Sequence, residues 1–257
     1  MTESEIINQL ISNTFVEDVN ELFGRAAEKG YSEVIKLLLK DSRVNPAHGD
    51  NYAICASAEN GHHEIVELLL KDSRAHPEPE NNYCVYWSTK NNHYEVVKLL
   101  LEDPRVNPST TEYTVTAIGN AAYHGNYKIV ELLLKDPRVD PSIDENYAIR
   151  AASQKGHTEI VKLLLVDSRV DPSAANNFAI KWAAHHGHVE VVELLLNSLK
   201  HRFNLEVYTS ILSETPEKVK ILLISHIIKY QWYLKEFLRE RLTIDLASQI
   251  NHLIVTN

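Results

Sequence analysis

"NYAIRAASQKGHTEIVKLLLVDSRVDPS" runs from Asn146 to Ser173, and "NFAIKWAAHHGHVEVVELLL" follows from Asn177 to Leu196. The second line starts 31 residues after the first and repeats its pattern. Leucine triplets recur at 37–39, 68–70, 99–101, 132–134, 163–165 and 194–196, with spacings of 31, 31, 33, 31 and 31. Proline returns in phase at 46, 77, 108, 141 and 172. A Gly or Asn does so at Gly30, Gly61, Asn92, Gly125, Gly156 and Gly187. A fixed period of this size is the signature of a repeat architecture.

One copy reads as helix, turn, helix, loop. The Asn146 side-chain oxygen suits the N-cap of the first helix, and Asn20, Asn51, Asn82 and Asn177 share its phase. The Ala-rich segment from Tyr147 to Lys155 favours helix. Gly156 ends it, because glycine adopts the left-handed C-terminal conformation cheaply. A second helix is predicted from Thr158 to Val166, with Glu159 in its first turn, where the helix dipole favours negative charge. Ile160, Val161, Leu163, Leu164 and Leu165 leave it almost no polar face, so it needs cover on two sides. One copy cannot provide that cover, whereas stacked copies can. The expected fold is an all-α solenoid.

"GHTEIVKLLL", "GHHEIVELLL" and "GHVEVVELLL" resemble the second helix of the ankyrin repeat, and the resemblance covers about residues 16–200. Units of 31 residues are shorter than the usual 33, and resemble those of large DNA viruses and amoebae. The family's Thr-Pro-Leu-His start is replaced by "NYAI". The shortening falls in the loop whose tip forms the family's β-turn finger, so short or degenerate fingers are expected.

The resemblance divides the chain as follows. Residues 1–15 form an N-terminal capping helix. Six repeats occupy about 16–46, 47–77, 78–108, 109–141, 142–172 and 173–203 within 16–203. A degenerate seventh covers 204–224, and 225–257 supplies C-terminal capping helices. Terminal layers need such caps because one face of each meets water. The fourth unit carries two extra residues before Ala117, and Val115 stands at the Asn phase. Insertions in solenoids gather on one face, often the binding face, but a loop extension is also thermodynamically cheap.

The net charge of −9 supplies no basic stripe for tracking phosphates, so no nucleic-acid partner is expected. The start "MTESEIINQLISN" lacks a signal-peptide pattern, and the most apolar later segment, from Val219 to Leu238, is interrupted by charge. The expectation is a monomer with no membrane partner, cytoplasmic, with the nucleus open.

Two cysteines, Cys55 and Cys84, indicate a reducing compartment. They occupy different phases of adjacent units and are expected to point different ways as small buried hydrophobes. His185, His186 and His188 look like a metal cluster, but His188 repeats His62, His93 and His157, so it belongs to the unit's architecture. No further ligand recurs at suitable spacing, and no metal or cofactor is expected. No phosphate loop or nucleophile–base order appears, so no catalytic residue is named. Asp and Arg recur two apart at 41–43, 72–74, 103–105, 136–138 and 167–169, read as solvated ion pairs with Arg reaching a neighbouring unit. Trp87 and Trp182 share an inner-helix phase and are read as core.

In ankyrins the residues just before the turn glycine, with the finger tips, line the concave binding face. The resemblance places Glu28, Lys29, Glu59, Asn60, Lys90, Asn91, Tyr123, His124, Gln154, Lys155, His185 and His186 there, joined by Tyr86, Arg150 and Lys181. These positions vary between units while "IVxLLL" scarcely changes. Tyr, His and amides suit protein recognition. The implied function is a non-catalytic scaffold binding a partner protein. The alternative is an adaptor whose C-terminal helices recruit ubiquitin-ligase or other machinery.

Overall fold

The computed structural model describes residues 1–12, 18–77, 83–109, 116–199, 211–212 and 215–229. These residues contain helices and turns and no strand. They group into two compact units, Met1–Ala148 and Ile149–Asn257.

In the first unit, inner helices α2 (Val19–Lys29), α4 (His48–Glu59), α6 (Tyr83–Lys90) and α8 (Ala117–His124) pack side by side. Outer helices α3 (Ser32–Leu38), α5 (His63–Lys71), α7 (Tyr94–Glu102) and α9 (Tyr127–Lys135) form a second row. Before them α1 (Glu3–Ile11) packs on α3, buries Ile6, and accepts from the Glu33 N–H through Glu3 at 3.1 Å. Thr2 and Glu5 cap α1 reciprocally, each side chain accepting from the other's backbone N–H. Helix α10 (Ile143–Lys155) supplies residues to both units. In the second unit, α12 (Ala174–His185) and α11 (Thr158–Val166) pack on α13 (Val189–Leu199). Helix α14 (Glu217–Lys229) also packs on α13, burying Val219, Leu223 and Ile224. It runs through position 224, where the sequence reading placed a domain edge.

The outer helices bury a repeated triad: Ile65, Val66 and Leu69 in α5, Val96, Val97 and Leu100 in α7, Ile129, Val130 and Leu133 in α9. The spacing i, i+1, i+4 lies on one helical face. Only the middle leucine of each of these triplets joins that face, and Leu68 and Leu70 remain half-buried.

Three of the turn glycines serve two ends. Gly30, Gly61, Gly125, Gly156 and Gly187 have φ of 74 to 80°, and Asn92 takes 61° at the same place. The next unit's histidine ring lies against Gly30, Gly61 and Gly156. A Cβ on Gly61 would sit 2.5 Å from His93, and one on Gly156 2.6 Å from His188. The same rings reach a backbone carbonyl of the preceding unit: His62 to Glu28 at 2.9 Å, His93 to Glu59 at 2.9 Å, and His188 to Gln154 at 3.0 Å. Asn126 replaces the histidine once, and its amide donates to the Thr89 carbonyl at 2.5 Å.

Asn20 and Asn51 do not cap as the sequence reading expected. Asp18 caps α2 and Thr116 caps α8. Asn20 instead accepts from the Asn45 N–H at 2.7 Å, and Asn51 from the His76 N–H at 2.9 Å. Each closes its own unit by tying the inner helix to the end of the return loop. Asn51, Asn146 and Asn177 have φ near +60°. Each ends a three-residue left-handed turn, at 49–51, 144–146 and 175–177, standing where short or degenerate fingers were expected. Asn82, the fourth-unit insertion at 110–115, and residues 230–257 lie outside the described residues.

The cysteines face each other, with Cys55 Sγ 3.2 Å from Cys84 Sγ and both buried. Different phases are the reason. In a translational stack, equal phases point the same way, so side chains that meet across a layer gap come from unequal ones. The contact with Cys55, together with burial, pushes the Cys84 thiol well above its usual pKa.

Two substitutions test these turns. Ala175→Gly relieves a left-handed φ of 51° and is expected to add about 0.5–1 kcal/mol in urea denaturation. A loss of stability would contradict the turn. Gly61→Ala meets both a positive φ and the His93 ring, and is expected to cost at least about 2 kcal/mol. Gly187→Ala meets only Pro216 at 3.4 Å and is expected to cost about 1 kcal/mol.

Candidate functional site

The Asp–Arg pairs belong to the scaffold. Each Asp accepts from the Arg backbone N–H two residues on and from its guanidinium, at 2.6 Å in the closest contact of each pair. The guanidinium then reaches backward, to the preceding unit. Arg74 donates to the Leu39 and Val44 carbonyls, Arg105 to Leu70 and Ala75, and Arg138 to Leu101 and Val106. The leucine carbonyls close an outer helix, where helix geometry leaves acceptors unfilled. Arg43 holds Asp41 alone, and its side chain is 69% exposed against 37% for Arg105. Hydrogen bonds from Arg43 hold Asp41 down to about 2. Asp72, Asp103, Asp136 and Asp167 are likewise lowered, first by the side-chain bond from their own Arg.

With these ties assigned, the inner-helix side chains remain. In the first unit, the Tyr52 hydroxyl donates to Glu28 and the Tyr83 hydroxyl to Glu59, both at 3.0 Å. Burial and the Glu28 carboxylate push the Tyr52 phenol up. Lys90 Nζ lies 4.2 Å from the Trp87 ring centre, and Tyr83 and Tyr86 flank that ring at 5.7 and 5.4 Å. Tyr123 meets His124 edge-on at 5.1 Å. Asn60 donates to the Ala56 carbonyl and Asn91 to the Glu59 carbonyl, so both amides partly serve the scaffold. A hollow of about 280 Å³ between α2 and α4 is lined by Glu21, Arg25, His48 and Tyr52 among others.

In the second unit, rings form a continuous row along α12 and its turn. Phe178 stacks on Trp182 at 5.3 Å, Trp182 on His186 at 5.4 Å, and His186 on His188 at 6.0 Å. His185 adds an edge contact to Trp182 at 5.7 Å, and the Arg150 guanidinium lies 5.1 Å over Phe178. His186 Nδ1 bonds the Trp182 carbonyl at 2.8 Å. Gln154 lends its carbonyl to His188, while Lys155 is exposed and Lys181 half-buried.

Trp182 is 36% exposed and Trp87 half-buried, so neither is the core residue the sequence reading expected. Their phase faces along the inner row rather than into the layer gap, which Ala179, Ile180, Ala183 and Ala184 fill in α12. The missed signal was legible: Phe178, Trp182 and His186 are spaced i, i+4, i+8, one helical face. None of the thirteen named inner-face residues, from Glu59 to His186, is buried, and the structure divides them. Glu59, Asn60, Tyr86, Lys90, Asn91, Tyr123 and His124 lie in the first unit. Arg150, Gln154, Lys155, Lys181, His185 and His186 lie in the second. Among the described residues no three His, Cys, Asp or Glu side chains converge as a metal site. None of the described helices is long and apolar enough to cross a membrane.

A family model for ankyrin repeats in three copies matches residues 23–112, 54–144 and 118–207. The chain belongs to the ankyrin-repeat family. Its fold is the all-α ankyrin solenoid. The crystal structure of EF0377, an ankyrin repeat protein, is similar with a TM-score of 0.60 at 24% identity, over 70% of this chain and 98% of its own. That likeness carries the fold. Among curated proteins none matches the chain. Ankyrin repeats are in general protein–protein interaction modules, typically without catalytic activity.

Arg105→Gln removes two bonds to the preceding ankyrin layer and is expected to cost about 1–2 kcal/mol. Arg43→Gln, which has no layer to reach, is expected to stay within about 0.5 kcal/mol. The lowered Asp values contribute stability that is full above the ordinary carboxylate range. It is lost as pH falls toward about 2, the Asp41 value. A circular-dichroism titration from pH 6 to 2 should show the loss beginning below about pH 4.

Proposed function

We propose that this ankyrin chain is a non-catalytic scaffold that binds a partner protein through its inner-helix faces. One observation carries the reading. The side chains that tie the layers recur from unit to unit, while the pair just before the turn residue is different in each, Glu28-Lys29, Glu59-Asn60, Lys90-Asn91, Tyr123-His124, Gln154-Lys155 and His185-His186, and none of these is buried. Glu59, Lys90, Tyr123, Gln154 and His185 share one phase yet no chemistry. Scaffold positions are constrained by their neighbours, so the free phase is where recognition is written. Tyr86, Tyr123, His124, His185 and His186 supply flat side chains with polar edges, the kind enriched at interfaces. The chain acts in the cytoplasm as a monomer. The alternative adaptor reading assigns recruitment to helices in 225–257, of which 230–257 lie outside the described residues, and no observation favours it.

The test is affinity capture with the full chain, followed by titration of the captured partner in purified form. Replacing Tyr123, His124, His185 and His186 together by Ala is expected to leave the helical circular-dichroism signal intact and to weaken binding at least about tenfold, since interface anchors cost upward of 1 kcal/mol each. Unchanged affinity would remove these faces from the interface.

A further inference from the structure

The inner face of the second unit has a charge of its own. Residues 149–158 and 172–189 contain no Asp or Glu, although the chain as a whole carries −9. The same stretches hold Arg150, Lys155 and Lys181, with imidazoles at His185, His186 and His188. Among the described residues the unit's acids lie in other segments: Glu159 and Glu190 on the outer helices share Lys162, at 2.7 and 3.3 Å, and Asp167 holds Arg169 in the loop. The first unit differs, because Glu21, Glu28 and Glu59 interrupt its inner row. Among the described residues charge is thus segregated, with Lys181 on the helix of the exposed ring row and Arg150 over its Phe178.

That row is built to be met. Trp182 is 36% exposed but clamped between Phe178 and His186, so little side-chain freedom remains to be lost on binding. Rigid, part-exposed aromatics beside cations are the usual anchors of an interface.

Resting on the protein-binding reading above, we propose that the second unit's inner face takes an acidic segment of a partner protein that carries an aromatic or large aliphatic side chain. The carboxylates meet Lys181, Lys155 and Arg150, and the apolar side chain covers Trp182. Acidic side chains are expected within about 4 Å of these cations, a range where surface pairing still selects against the wrong sign. An acidic protein segment fits better than a nucleic acid. Three cationic side chains beside a net negative chain do not make the continuous rail that a phosphate backbone needs.

The probe is a phage-displayed library of random twelve-residue peptides, panned against the full chain immobilised through its N-terminus. Oligo-dT of 20 nucleotides is titrated separately. Selected peptides are expected to be enriched in Asp and Glu around an aromatic or Leu. The best of them, synthesised and titrated, should lose about five- to tenfold in affinity on Lys181→Glu at low salt, and less at 0.5 M salt. Trp182→Ala should weaken it about tenfold or more with the melting temperature kept, because the ring is part-exposed. Peptides that bind without acidic enrichment, or that ignore Lys181→Glu, overturn this assignment and leave protein binding standing. Tighter binding of oligo-dT than of any peptide overturns it in favour of nucleic acid. Failure to select any peptide, together with no loss of the captured partner in the fourfold Ala variant, overturns the protein-binding reading itself.

Discussion

A histidine ring resting on the preceding layer's glycine sets how close two layers come. The ring leaves no room for a Cβ at Gly30, Gly61 or Gly156, and its Nε2 bonds a carbonyl just before that glycine. One residue therefore turns the chain and receives the next copy. A side chain at this glycine would open the gap that buries Ile54, Ile65, Val66 and Leu69, where void space is expensive. The third unit shows the constraint by exception. Asn92 takes the left-handed turn there, and the following layer brings Asn126, with an amide in place of the ring.

The arginine ladder is the outer counterpart of that contact. An outer helix ends with carbonyls that no N–H of its own can reach, and the next unit's Arg fills them while its Asp holds the guanidinium in place. The "DSRV" and "DPRV" loops are thus not surface decoration. Ring and guanidinium both reach backward by one unit, so the amino-terminal Arg43 has nothing to hold beyond Asp41. The helix that precedes it, α1, uses different chemistry, with Glu3 and the buried Ile6.

Once those ties are named, the remaining inner-helix side chains stand out by their irregularity. In the first unit they mix Glu, Lys and Tyr, and Tyr hydroxyls neutralise part of the acid locally. In the second unit they are basic and aromatic, with the rings stacked in sequence from Phe178 to His188. A shared scaffold thus presents two chemically different faces, which is how a repeat protein acquires selectivity without altering its core.

Much of this was legible in the residues. The period, the helix pair and the turn glycines follow from spacing alone, because a strongly apolar helix needs copies of itself for cover, whereas the reduction of the α5, α7 and α9 leucine triplets to one fully buried member each came from the packing. The histidines could be assigned to architecture because they recur. Three further things needed the tertiary structure. Asn51 reads as a cap until the fold brings its side-chain oxygen to the His76 N–H. Cys55 and Cys84 read as unrelated until the layers bring unequal phases face to face. Trp182 reads as core until the alanines beside it fill the gap and leave the ring outside. Periodicity reports which face of a helix is shared, since that follows from 3.6 residues per turn. Which way a single side chain turns across a gap depends on the neighbour already standing there, and only the folded chain decides that.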